Sequence, residues 1–231
     1  ILQSPSQQGY AFNNKPNLKA HAAIARQAAA EGMVLLQNNN AALPLAATVK
    51  KIAAFGNTSY DFIAGGTGSG DVNEAYTISL AEGLRNAGFV LDDELQKNYT
   101  AFIHAEKSKL PPKKFFFELP PPIAEMEVSA EILAAKAATC AVAFVTIGRL
   151  AGEFQDRKEA DDFELTAAEK TLLKNVAAAF HEQGKKMIVI LNIGGSIETA
   201  SWRNDADAIL LAWQGGQEGG NAVADILKGT V

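Results

Sequence analysis

The chain has 231 residues, 48% hydrophobic and 20% charged, a globular composition that excludes disordered, collagen-like and disulfide-stapled classes. Lys+Arg 21 against Asp+Glu 26 leaves a net charge of -5, so neither nucleic acid nor an anionic membrane, which need clustered cations, is expected as a partner. The length suffices for one large domain with its own core, and no apolar run approaches the roughly 20 residues that span a bilayer.

In chain order, residues 17–32 form an Ala-rich helical pattern. Met33-Val34-Leu35-Leu36 follows, either extending that helix or forming a short strand. Lys51-Ile52-Ala53-Ala54-Phe55 reads as a strand and runs into Gly56-Asn57. Residues 79–87 read as a helix closed by Gly88, in the position of a C′ glycine, and 92–107 as another, opened by a capping aspartate. Residues 108–122 carry Pro111-Pro112 and Pro120-Pro121-Pro122. Polyproline continues neither a helix nor a central strand, so this is a surface excursion. A helix at 129–139 leads to Cys140, which sits in an apolar stretch and reads as a buried, inert thiol.

The strand Ala141-Val142-Ala143-Phe144-Val145-Thr146-Ile147 then ends at Gly148. Thr166-Ala167-Ala168-Glu169 is a capping box that opens a helix closing at Gly184. Met187-Ile188-Val189-Ile190-Leu191 is the next strand, followed by Asn192-Ile193-Gly194-Gly195. The last strand, 208–213, ends in Gly215-Gly216, and a helix covers 219–227. The strands are apolar throughout rather than alternating, which marks strands covered on both faces, as in a parallel sheet. Strands alternating with helices predict an α/β fold: a doubly wound, mostly parallel sheet with helices on both faces.

In such sheets ligands bind beyond the carboxyl ends of the strands, so chemistry is sought in the loops there. Gly65-Gly66-Thr67-Gly68-Ser69-Gly70-Asp71 completes neither a dinucleotide fingerprint nor a P-loop, and Asp61 and Asp71 would repel phosphate. It reads as a flexible turn or as a close approach of backbone to a neutral polyhydroxylated ligand. In the next loop, Glu153 beside Gly152 is placed to project into a shared cleft, where desolvation by a partner surface would suit a proton donor. Asp156-Arg157 reads as an ion pair ordering that loop, and Glu159, Asp161, Asp162 and Glu164 as a solvated acidic run. His21, His104 and His181 fall on separate helical stretches and do not converge on a metal, and no metal or cofactor is expected. Trp202 and Trp213 could stack on a sugar ring, although a tryptophan at a strand end is more often core.

Four segments together resemble the second, α/β-sandwich domain of glycoside hydrolase family 3. They are Ala25 through Asn38 with Leu43-Pro44-Leu45; Ile52 through Gly56 with the glycine loop 65–70; Gly152-Glu153 with Asp156-Arg157 and Phe163-Glu164-Leu165; and Gly215 through Gly229. The resemblance implies a retaining, exo-acting β-glycosidase, most often a β-glucosidase, in which a (β/α)₈ barrel of the same polypeptide carries the nucleophilic aspartate. This chain would supply the acid/base Glu153 and, through Gly66, Thr67, Gly68 and Ser69, part of the wall that faces an oligosaccharide or β-glucoside. Retaining chemistry places the two carboxyls roughly 5–5.5 Å apart, so the site would form where the two domains meet.

On that reading residues 1–16 are a linker or arm from the barrel, 17–231 are the sandwich domain, and 108–122 is a local insertion. Beginning at Ile1 without a leader pattern, the chain is expected to be a piece of a longer enzyme, inactive alone and working in a periplasmic or secreted setting. Two readings from other classes remain open: a flavodoxin-like module for a small ligand, and a structural partner domain that lends no carboxylate.

Overall fold

The apolar runs become the strands of one six-stranded sheet in a computed structural model of the protein, which describes residues 14–70, 72–115, 118, 120–150 and 156–231. The strands are β1 (Val34–Asn38), β2 (Lys51–Phe55), β3 (Val90–Leu91), β4 (Val142–Arg149), β5 (Lys186–Ile193) and β6 (Ala208–Leu211). They lie in the order β1-β6-β5-β4-β2-β3. All neighbours are parallel except β1, which runs antiparallel to β6 with a register shift between Leu35 and Gln37. Met33 thus caps the helix, and Val34 to Leu36 form most of the edge strand. The side-chain amide of Gln37 bonds the carbonyls of Arg203 and Ala206, at 3.0 and 2.6 Å, beside the shift.

Among the described residues six α-helices cover the sheet: α1 (Leu18–Gly32), α2 (Leu80–Asn86), α3 (Asp93–Lys107), α4 (Ala130–Thr139), α5 (Ala167–Glu182) and α6 (Gly219–Lys228). Local chemistry sets where they start. Asn17, Ser79, Asp92, Ser129 and Thr166 each accept a hydrogen bond from a backbone N–H of the first turn, and Ser79 with Glu82 and Thr166 with Glu169 form complete capping boxes. Each satisfies one of the donors that a helix leaves orphaned. Gly88 and Gly184, at φ 88° and 65°, follow the ends of α2 and α5, in the left-handed region that glycine enters without a Cβ penalty.

The twofold period of a strand splits the apolar residues between two cores. Ile52, Ala54, Phe144, Ile188, Ile190 and Leu210 face α2 and α6, where Leu80, Leu84, Val223 and Leu227 meet them. Ala53, Phe55, Val145, Met187, Val189 and Leu191 face α3, α4 and α5, against Leu95, Tyr99, Leu133, Leu173, Val176 and Phe180. Phe55 meets Phe180 edge-on at 6.2 Å. Helix α1 packs along α6, and the Arg26 guanidinium forks onto Asp225 at 2.5 and 2.6 Å. Cys140 is buried, and burial pushes its thiol up. The described part of the excursion 108–122 holds no helix and no strand.

Three boundaries differ from the sequence reading. β4 and β5 run on to Arg149 and Ile193, because Gly148 and Arg149 pair with Asn192 and Ile193 in the parallel ladder. β6 stops at Leu211, before Trp213 turns the chain at φ 54°. β3, two residues long, carries too short a pattern to stand out in the sequence.

Candidate active site

From β2 the chain crosses one face through α2 to β3 at the sheet edge. It returns across the other face through α3 and α4 to β4, on the opposite side of β2. The strand order therefore reverses between β2 and β4, and a crevice opens beyond the carboxyl ends of strands at such a switch point. The loop holding Gly66, Thr67, Gly68 and Ser69 follows one of these strands, and the loop holding Glu153 follows the other.

Close packing joins the two exits. Gly56, at φ 90°, lies so near β4 that a Cβ there would sit 2.3 Å from the Thr146 carbonyl oxygen. A Cβ on Gly148 would sit 2.2 Å from Thr58 Cγ2. The Ser59 hydroxyl donates to the Phe55 carbonyl at 2.6 Å and shares a 2.7 Å hydrogen bond with Thr146 Oγ1. Tyr60 stacks on Tyr99 at 5.3 Å, its hydroxyl donating to the Ala54 carbonyl at 2.9 Å, and burial pushes both phenols up.

A buried amide at the end of β5 then ties the glycine loop to the loop after β6. Asn192 Oδ1 accepts from the Ile63 N–H at 2.7 Å, and Nδ2 donates to the carbonyls of Ile63 and Trp213 at 2.9 and 2.8 Å. The Gly216 N–H adds a bond to the Ala64 carbonyl at 2.8 Å. Within the loop, Gly68–Gly70 is a tight 3-10 turn, Gly68 has φ 64°, and the Gly70 N–H donates to the Thr67 carbonyl at 3.2 Å. Thr67 is buried.

The second loop is fastened at both flanks. Arg149, nearly buried, grips Glu169 with two bonds of 2.6 and 2.8 Å and donates to the Asp162 carbonyl at 2.7 Å. Its own carbonyl accepts from the Gly194 N–H and from Gln214 Nε2. On the other flank, Arg157 pairs with Asp162 at 2.6 Å, not with Asp156 as the sequence suggested. The Asp162 carboxylate also takes the Lys158 N–H, a short return that Asp156, adjacent to Arg157, does not provide. Asp162 is thereby drawn from the solvated run, and Glu164 pairs with Lys170 at 3.6 Å. Glu153 itself lies outside the described residues.

Glu125, which the sequence reading passed over, also stands at this edge. Its carboxyl accepts from the N–H groups of Asn57 and Met126, at 3.1 and 3.0 Å, while Asn57 Nδ2 donates to the Ala124 carbonyl at 2.8 Å. Burial raises this carboxyl to about 7, the two backbone N–H bonds opposing the shift. A glutamate after three prolines was the only sequence cue. Of the two tryptophans, Trp202 is core, its indole N–H on the Glu198 carbonyl. Trp213 is 40% exposed at the carboxyl edge, its indole N–H on the Gly32 carbonyl.

Comparison with known proteins agrees with this architecture. Residues 33–231 match the family model of the glycosyl hydrolase family 3 C-terminal domain. Beta-glucosidase A of Butyrivibrio fibrisolvens is 34% identical over 91% of the chain, and exo-alpha-(1->6)-L-arabinopyranosidase of Bifidobacterium breve is 30% identical over 95%. The chain spans 27% of the length of each. Beta-glucosidase 3B from Thermotoga neapolitana, solved in complex with glucose, superposes with a TM-score of 0.89 at 43% identity, over 98% of this chain and 32% of that one. With the match covering all six strands, the chain belongs to glycosyl hydrolase family 3, as its C-terminal domain.

Proposed function

We propose that this chain is the second domain of a retaining, exo-acting β-glycosidase of the β-glucosidase type, supplying the acid/base carboxyl and one wall of the cleft. The observation that carries the reading is the switch point. The glycine loop and the loop bearing Glu153 leave adjacent strands there, and buried hydrogen bonds fix the base of each. In the proposed reaction an aspartate on a (β/α)₈ barrel of the same polypeptide attacks the anomeric carbon, and Glu153 gives its proton to the departing oxygen. Glu153, now a carboxylate, takes a proton from water as that water displaces the enzyme-bound sugar. Gly66, Thr67, Gly68 and Ser69 face the sugar, where the small residues let backbone come close to hydroxyl groups.

Glu153→Ala in the full-length enzyme is expected to slow hydrolysis of glycosides with poor leaving groups by roughly 10²–10⁴-fold. Activated aryl glycosides should lose less and be partly restored by azide. An undiminished rate removes Glu153 from the mechanism, and turnover by this chain alone overturns the two-domain reading. Because the relatives' names differ in the sugar, aryl β-glucoside and aryl α-L-arabinopyranoside are assayed side by side.

A further inference from the structure

The 3-10 turn Gly216–Glu218, just before α6, holds the glycine loop at both ends. The Gly216 N–H donates to the Ala64 carbonyl at 2.8 Å, on the way into the loop. On the way out, the Ile78 N–H donates to the Gln217 carbonyl at 2.8 Å, and the Tyr76 hydroxyl to Glu218 Oε1 at 2.5 Å. Gln217 Nε2 also reaches the Tyr76 oxygen, at 3.4 Å. Three consecutive residues thus grip the chain at 64, 78 and 76. Residues 72–77 are exposed, so polar bonds rather than burial bring this side of the loop back to the turn.

Glu218 supplies the side chain of that grip, and its bonding is unusual for its place. A carboxylate that immediately precedes a helix ordinarily caps the first turn. Glu218 makes no such bond. It is only 6% exposed, and a buried carboxylate is costly unless donors meet it. Asn221 Nδ2 donates to Oε2 at 2.7 Å, and Asn86 Nδ2 donates in turn to Asn221 Oδ1 at 3.0 Å. The charge on Arg26 acts on it from α1. One carboxylate oxygen is therefore fixed from within, and the other is turned to Tyr76, where an ionised acceptor makes a bond roughly twice as strong as a neutral one.

We infer that Glu218 is a positioning residue, which through the Tyr76 hydroxyl sets where Gly66, Thr67, Gly68 and Ser69 stand. That these residues meet a sugar rests on the proposed function; the grip on the loop does not.

Tyr76→Phe removes one hydroxyl at a partly exposed site, and Glu218→Gln removes the charge at nearly constant volume. In the full-length enzyme Tyr76→Phe is expected to raise KM for an aryl β-glucoside roughly tenfold, the weight of one hydrogen bond to a charged acceptor. With kcat level, this is the pattern of lost uniform binding. Amide hydrogen exchange over 64–70 should quicken by a similar factor, with β5 as a level reference. In the Glu218→Gln background the same change should add less than about twofold, because both act through one bond; a full tenfold there removes Glu218 from the role. A lower melting temperature with KM unmoved marks the bond as structural only and overturns the positioning role. Level exchange in Tyr76→Phe overturns the grip itself, and decides the matter even if Glu218→Gln does not fold. A wild-type enzyme that hydrolyses no glycoside counts against the proposed function, and exchange alone then supports or overturns the grip.

Discussion

Asn192 makes three hydrogen bonds with one amide, to Ile63 on both its backbone groups and to the Trp213 carbonyl, at a position with no solvent exposure. Replacing it by Leu keeps the volume but strands those groups, each at about 1–3 kcal/mol. Asn192→Leu is expected to cost about 3 kcal/mol or more in a denaturant titration. Asn192→Asp should be worse at neutral pH than in mild acid, since a carboxylate would face two carbonyls and only protonation returns a donor. Arg149→Met should likewise cost about 3–5 kcal/mol, because it leaves Glu169 as a buried, unpaired charge. The capping residues were legible in the sequence because their partners lie within three positions. Asn192 was not, since Ile63 is 129 residues away; nor was Glu125, whose partner Asn57 is 68 away. A polar side chain ending an apolar strand signals that something is bound, but not what.

Between elements, α2 and α6 cross in close backbone contact. A Cβ built on Gly220 would lie 2.0 Å from the Ser79 carbonyl oxygen, and one on Gly83 would lie 2.1 Å from the Gly220 carbonyl. In an isolated helix Gly→Ala would gain roughly 1 kcal/mol. Here backbone meets backbone, with no flexible side chain to give way, and overpacking of this kind costs about 1–3 kcal/mol or more. Gly83→Ala and Gly220→Ala are both expected to lower the melting temperature, and a rise in either would show that the helices can separate freely. The elements themselves were readable because apolar runs, capping residues and glycine stops agree with one another. Their ends were less so: β4 and β5 lengthen because each supplies the other's ladder bonds, which no single run reveals.

At the scale of the molecule, the two-sided burial of the strands settles the doubly wound arrangement, and the order of the strands settles where its crevice opens. The apolar pattern carries the first, since it is written in every strand. The second depends on which side of β2 the chain returns to after β3, and that is a property of packing rather than of any segment. The glycine loop and the loop of Glu153 could therefore be named from the sequence as loops, while their adjacency needed the sheet.

The sheet also ends unequally. On one side β3 offers two residues, too short to template another strand. On the other, β1 exposes Val34, Leu35 and Leu36, the profile of an edge that recruits foreign strands and starts aggregation. Its register shift between Leu35 and Gln37 interrupts the run of free backbone groups in the middle, and an incoming strand in regular register meets a break after a few residues. One misplaced step in the ladder thus works as protection against self-association, at the edge where the chain is otherwise most adhesive.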